Sequence, residues 1–193
     1  MKKIHPIEAL IEQGEHQQLD FKFEVSDSKK IARTLSAFAN TDGGRLLIGV
    51  KDNGNISGVR SEEEYYMIEA ASRMYTRPEV PFEATRWEVN GKTVLEVYIA
   101  PSPDKPHTAP DKDNKFKAYI RVADENILAN EVLVLAWQKK HKQDGTLLKI
   151  SKPVERLFAY LDDHPHINVS QFCRIGRINY CLLYTSDAAD EAR

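Results

Sequence analysis

The spacing of apolar residues changes period several times along the chain, and each change marks an element. Ile4, Ile7, Leu10 and Ile11 recur at helical spacing and predict a short amphipathic helix over 4–13, ended by Gly14. Leu19, Phe21, Phe23 and Val25 then alternate with Gln18, Asp20, Lys22 and Glu24, the pattern of a half-buried strand whose polar side faces outward. Ser26 or Asp27 can cap a helix over 28–40 with Ile31, Ala32, Leu35, Phe38 and Ala39 inward. Asn40-Thr41-Asp42-Gly43-Gly44 stops it. Leu46-Leu47-Ile48-Gly49-Val50 is almost continuously apolar and predicts a central strand covered on both faces. Asp52-Asn53-Gly54-Asn55 is a turn signal, because Asn and Gly accept positive φ.

Farther on, Ser61-Glu62-Glu63-Glu64 places a cap and acids at the positive end of a helix running to Tyr75. Pro78 and Pro81 mark a loop. Strands are predicted over 82–89 and 92–100, joined by Asn90-Gly91. Pro101, Pro103, Pro106 and Pro110, interleaved with charged residues, predict a long polar loop. A strand over 115–122 follows, then a helix over 130–142 around Val132, Leu135, Ala136 and Trp137 with a basic end. Gln143 to Lys152 reads as a linker. Pro153 opens a helix with Val154, Leu157, Phe158 and Leu161 inward, and a second short helix starts at Asn168 after a turn at His164-Pro165.

Composition adds limits. Apolar residues make up 41% of the chain, enough for a core, and charged residues 29%. The mean hydropathy of -0.51 is that of a soluble protein. No apolar run approaches the roughly 18 residues of a membrane span. The lysines at the N-terminus precede no apolar stretch, so no secretory signal is expected. Two cysteines, Cys173 and Cys181, are too few for a disulfide framework, and a reducing, cytoplasmic setting is expected.

The segment from Cys181 to Glu191 coincides with one reading frame of a transposon-type sequencing adapter, TGT CTC TTA TAC ACA TCT GAC GCT GCC GAC followed by GA. Residues 181–193 are therefore expected not to be native, and the natural chain is expected to continue beyond Tyr180. Without the tail's three acids and one arginine, residues 1–180 hold 26 basic and 26 acidic side chains, so the net charge of the whole chain, -2, becomes neutral. Binding a polyanion would then need a local basic face.

The string Glu15-x4-Asp20-Phe21-Lys22, followed by Ala37-Phe38-Ala39-Asn40-Thr41-Asp42-Gly43-Gly44-Arg45-Leu46-Leu47-Ile48-Gly49-Val50-Lys51-Asp52 and the residues to Gly58, closely resembles the Schlafen AlbA_2 domain family. Tyr119-Ile120-Arg121-Val122 resembles its last strand, and the resemblance covers about 8–125. It implies an α+β fold, a mixed β-sheet with flanking helices, that binds nucleic acid. Bacterial members typically place it before a winged helix and are described as transcriptional regulators. Residues 153–180 resemble the opening of such a winged helix, a partial all-α helix-turn-helix. The organisation expected is a nucleic-acid-binding domain over 1–143, a linker over 144–152, a truncated winged helix over 153–180, and the tail.

The resemblance also supplies a catalytic candidate. Vertebrate relatives carry three carboxylates of a metal-dependent ribonuclease at positions matching Glu15, Asp20 and Asp52, and such carboxylates can hold Mg²⁺ or Mn²⁺ to activate water. The family more often has Glu at position 20, so the shorter Asp20 departs from its pattern. The vertebrate site sits in a two-copy core, so a homodimer would be implied. The plainer reading makes Asp20, Lys22 and Glu24 a solvated strand face and Asp52 a turn former. Asn40, Thr41, Gly43 and Gly44 could cradle a phosphate on backbone N–H groups, or could serve only as a helix stop.

Candidate phosphate contacts are Lys22, Arg45, Lys51, Arg73, Arg77, Lys112, Lys115, Lys117 and Arg121, with Tyr75 and Tyr119 as stacking aromatics. Arg174 and Arg177 are candidates in the helix-turn-helix. The leading expectation is a regulator that binds nucleic acid, DNA ahead of RNA, with no cofactor and no membrane partner. The alternatives are a Mg- or Mn-dependent endoribonuclease and a protein-interaction or dimerisation module.

Overall fold

The computed structural model describes residues 4–59, 61–140 and 150–179, and the chain divides into two units, 1–143 and 144–193. The tail 181–193 and most of the expected linker lie outside the described residues.

The first unit is α+β. Its elements are α1 (Pro6–Ile11), β1 (Leu19–Lys22), α2 (Ser28–Asn40), β2 (Gly44–Ile48), α3 (Glu63–Tyr75), β3 (Glu83–Val89), β4 (Lys92–Ile99), β5 (Thr108–Pro110), β6 (Phe116–Val122), β7 (Glu125–Leu128) and α4 (Glu131–Lys140). One sheet runs β1-β2-β4-β3, with β1 and β2 parallel and the other pairs antiparallel; a second antiparallel sheet runs β5-β6-β7. β2 is central, as its apolar run predicts. Leu46 and Ile48 face one core with Leu35, Phe38, Ile68, Val97 and Ile99, while Leu47 faces another with Ile7, Phe21, Val89 and Val94.

α2 lies at the heart of the first core, touching α3 and the strands of both sheets. Asp27 caps it by accepting from the N–H groups of Lys29 and Lys30. At its other end Gly43 has φ +70°, and a Cβ there would stand 2.6 Å from the Ile99 carbonyl oxygen. Gly44 is just as constrained: a Cβ would fall 2.5 Å from the Phe38 ring. The two glycines let the helix turn directly into the central strand.

Three expectations are corrected. The polar side of β1 is only partly in water: Lys22 keeps its side chain 38% exposed, whereas Asp20 is buried. Leu19 and Phe21 point into the second core and Asp20 points the other way, where β6 covers it, leaving Asp20 3% exposed. The strand ends at Lys22, so Phe23 falls outside it and is 39% exposed. The stretch over 101–113 is not simply a polar loop, because it contains β5 and the buried His107. β7 was not expected at all; it follows a tight turn in which Ala123 has φ +54°.

His107 ties this stretch down. Its Nδ1 lies 2.9 Å from the Pro78 carbonyl oxygen, so Nδ1 carries the proton, and Nε2 accepts from the Ser102 hydroxyl at 2.7 Å. Burial lowers the imidazole pKa below its ordinary 6.5. The unfolded chain therefore takes up a proton on acidification through about pH 6.5 before the native chain does, and stability falls in that window. Thermal melting between pH 7.5 and 5.5 should show a steeper loss of Tm in the native sequence than in His107→Asn; parallel curves would remove His107 from the acid response.

The second unit contributes α5 (Lys152–Asp163) and α6 (Val169–Gly176). Asn168 and Gln171 form a reciprocal capping box at the start of α6. Cys173 is buried, while Phe158, expected to face inward on α5, is 54% exposed.

Candidate functional site

The three candidate carboxylates do not converge: Glu15 and Asp20 are neighbours, and Asp52 is not with them. Glu15 is half-buried beside Asp20 and accepts the Phe21 N–H at 2.9 Å. Burial raises its pKa above the usual carboxylate value, and the neighbouring Asp20 raises it further. Asp20 Oδ1 accepts from Arg121 Nη2 at 3.2 Å, and its Oδ2 stands 3.0 Å from Lys22 Nζ. Asp52 sits apart, exposed in the turn between Val50 and Ile56. Among the described residues no three acidic, histidine or cysteine side chains stand close enough together to hold a metal ion. The arrangement is instead an internal Asp20–Arg121 ion pair flanked by Glu15 and Lys22.

Arg121 is accordingly not a surface contact. Its side chain is 1% exposed, its Cζ lies 5.2 Å from the centre of the Phe38 ring, and its Nη1 donates to Asn126 Oδ1 at 3.2 Å. Alternation along β6 would turn Arg121 to the same face as Tyr119, and that face packs against α2.

The Asn40–Gly44 turn is also occupied internally. Asn40 is 2% exposed. Its Nδ2 donates to the carbonyl oxygens of His107 and Tyr119, both at 2.8 Å, and its Oδ1 accepts the His107 N–H at 2.8 Å. The Thr41 hydroxyl donates to Ala37 O, and the Thr41 and Gly43 N–H groups both go to Phe38 O. This is the helix stop among the two readings. It adds what the sequence did not disclose, a buried amide joining α2 to β6 and to the residue before β5.

The basic candidates divide in the same way. Arg45 pairs with Glu96 at 2.8 Å and lies over Tyr98. Arg73 is held by Glu69 and Glu79. Lys51 lies over Phe23. Arg77, Lys112, Lys115 and Lys117, in contrast, come together around the turn from β5 to β6. Arg77 Cζ is 4.1 Å from the centre of the Phe116 ring, and Arg77 bridges to Thr108 of β5. All four are exposed.

The exposed end of α2 joins this group with residues that sequence reasoning missed. Lys29 Nζ donates to Asn114 Oδ1 at 2.6 Å and stands 5.8 Å from the Tyr75 ring centre. Arg33 Nε donates to the Pro110 carbonyl oxygen at 2.7 Å. Lys30, exposed on the same helix, lines the adjoining cleft. The signal was present, since Lys29, Lys30 and Arg33 all lie off the apolar stripe of the helix, but nothing in the linear chain brings residue 29 to residue 114. Asp111 and Asp113 are the acids of this turn. The Asp111 carboxylate accepts the N–H groups of Lys115 and Asp113 and lies 3.5 Å from Lys117, which lowers its pKa.

A cleft of about 470 Å³ adjoins this face, with Lys22, Lys30, Arg33, Thr34, Tyr119 and Asn126 among its walls. Glu24, Asp27 and Glu125 also line it, so its charge is balanced. Arg174 and Arg177 are exposed on and just after α6 in the second unit, and Arg177 ends that helix with φ +55°.

No protein of curated function matches this sequence. A crystal structure of the DIP2311 protein from Corynebacterium diphtheriae is similar at TM-score 0.50 and 22% identity, over 67% of this chain and 28% of that one. A solution structure of the N-terminal domain of a RecG-related protein from Nitrosomonas europaea is similar at TM-score 0.40 and 20% identity, over 77% and 98% respectively. This chain thus matches little more than a quarter of the diphtheria protein's length, and the likeness speaks for the fold. The family model described as Schlafen, AlbA_2 matches residues 15–130. That span runs from Glu15 past the end of β7 and takes in both sheets, and by it the chain belongs to the Schlafen AlbA_2 family.

Proposed function

We propose that the first unit binds nucleic acid, DNA ahead of RNA, through the face formed by Lys29, Lys30 and Arg33 of α2, Arg77, and Lys112, Lys115 and Lys117 of the β5–β6 turn. The observation that carries this reading is that Lys29 and Arg33 of α2 reach the β5–β6 turn bearing Lys112, Lys115 and Lys117, in a chain whose residues 1–180 are neutral. A local face of one sign concentrates phosphate, and each neutralised phosphate releases counterions. Phe116 and Tyr75, beneath Arg77 and Lys29, are placed to offer aromatic surface to an unpaired base. A role in transcriptional regulation, with α5 and α6 as the start of a helix-turn-helix, is the finer form of the same proposal.

The endoribonuclease reading has less support. Asp20 is engaged by Arg121 and Lys22, and among the described residues Asp52 completes no cluster of three metal-binding side chains with it.

The test is anisotropy of labelled duplex DNA, single-stranded DNA and single-stranded RNA across a salt series, with Mn²⁺ added to parallel samples run on denaturing gels. For duplex DNA, Lys112→Ala/Lys115→Ala should make the slope of log K against log salt shallower by about 2. Arg45→Ala, at a paired arginine off this face, should leave it unchanged. Equal loss in both variants would overturn the assignment of the face, and Mn²⁺-dependent fragments would restore the nuclease.

A further inference from the structure

α4 is apolar on both sides. Val132, Leu133, Val134, Leu135, Ala136 and Trp137 follow one another, yet none of Glu131 to Lys139 is fully buried. Leu133, Val134 and Trp137 are half-buried, so they form the inner side. Val132 is 77% exposed and Leu135 51%, with Ala136 also outward. A ten-residue helix of this kind is marginal on its own. Helices hydrophobic all round are normally covered all round. Beside it, Phe116, Ala118, Leu128 and Val134 line an open groove of about 570 Å³, and Leu128 is 52% exposed. The apolar surface therefore continues from the helix onto the β6–β7 face.

We propose that α4 is a dimerisation element that packs antiparallel against α4 of a second copy of this chain. Charge selects this occupant. Glu131 opens the helix and Lys139 lies near its end, both exposed. A two-fold axis at Leu135 sets residue 131 opposite 139 and 139 opposite 131, so both acid–base pairs form at once. A parallel pairing would set like against like. The same axis stacks Leu135 on itself and brings Val132 toward Gln138 of the partner subunit. An isologous contact of this kind is self-complementary and closes at two copies. The helix is only about 15 Å long, so the area is at the low end for specific interfaces and a micromolar dissociation constant is expected.

Sedimentation velocity of the full chain between about 1 and 200 μM tests this, with circular dichroism confirming the fold of each variant. The native sequence should pass from monomer to dimer. Leu135→Asp, which sets two carboxylates at the axis, should stay monomeric. Glu131→Lys should weaken association about tenfold, since two surface pairs are lost by symmetry, and Glu131→Lys/Lys139→Glu should restore it. A monomer throughout the range, or a dimer indifferent to Leu135→Asp, would overturn the proposal. So would a double variant no tighter than Glu131→Lys, because the two residues would then not meet. The nucleic-acid test varies Lys112 and Lys115, which lie outside α4 and this groove, so the two outcomes are read separately.

Discussion

Arg121→Ala is expected to destabilise the first unit by about 3–5 kcal/mol, because it leaves Asp20 charged and buried without its main partner. The guanidinium reaches Asp20 Oδ1 at 3.2 Å and the Leu19 carbonyl oxygen at 3.4 Å, joining β6 to β1 across two sheets that share no strand pairing. Lys22 Nζ, 3.0 Å from Oδ2, offsets only part of the loss, since its side chain is 38% exposed and screened by water. The pair is itself imperfectly satisfied. Asp20 Oδ2 and Arg121 Nε have no hydrogen-bond partner among the described residues, so desolvation takes back much of the Coulomb attraction. Removing both charges is therefore expected to cost less than removing one. Asp20→Leu/Arg121→Met should recover at least half of the loss in urea unfolding at neutral pH. A cost below about 1 kcal/mol for Arg121→Ala would show that the pair does not hold the sheets together, and additive losses would show that the two side chains act independently.

This pair marks where the sequence stopped being legible. Local rules placed most elements: a cap at Ser26 or Asp27, the two-faced burial of β2, the glycine stop of α2 and the Asn90-Gly91 turn each depend on neighbours in the chain. Asp20 and Arg121 are separated by 101 residues. Period-two alternation says that Asp20 and Leu19 face opposite ways, but not which face meets water. A strand packed on both faces shows the same pattern as a strand with one face in water when one of its packed faces is closed by an ion pair. β5 was hidden for another reason: three residues ending in proline carry no period, and it is positioned by His107 and Asn40. The basic face was half legible. Lys112, Lys115 and Lys117 cluster in the sequence, whereas Lys29 and Arg33 reach them only because α2 lies beside the β5–β6 turn.

Asn40 holds that juxtaposition, and its substitution gives the second large effect. The amide orientation is fixed by chemistry: the His107 N–H can only donate, so it takes Oδ1, while the carbonyl oxygens of His107 and Tyr119 can only accept, so they take Nδ2. Asn40→Ala strands the His107 N–H and the Tyr119 carbonyl in a site from which water is excluded. At about 1–3 kcal/mol for each orphaned group, a loss of about 3–5 kcal/mol is expected. Asn40→Asp separates hydrogen bonding from packing, because the shape is kept while the donor becomes an acceptor facing two carbonyl oxygens at 2.8 Å. It should be at least as damaging as alanine, although it leaves no cavity. Hydrogen exchange at the His107 amide should rise in both variants, ahead of exchange in β2. Because this amide ties α2 to β6 and to the residue before β5, such local opening would also separate Lys29 and Arg33 from Lys112 and Lys115. Affinity for DNA should then fall under conditions where most of the chain is still folded. If Asn40→Asp unfolds in urea within about 1 kcal/mol of the native sequence, the three bonds to the amide do not carry the junction, and its stability resides in the apolar packing of Phe38 and Tyr119.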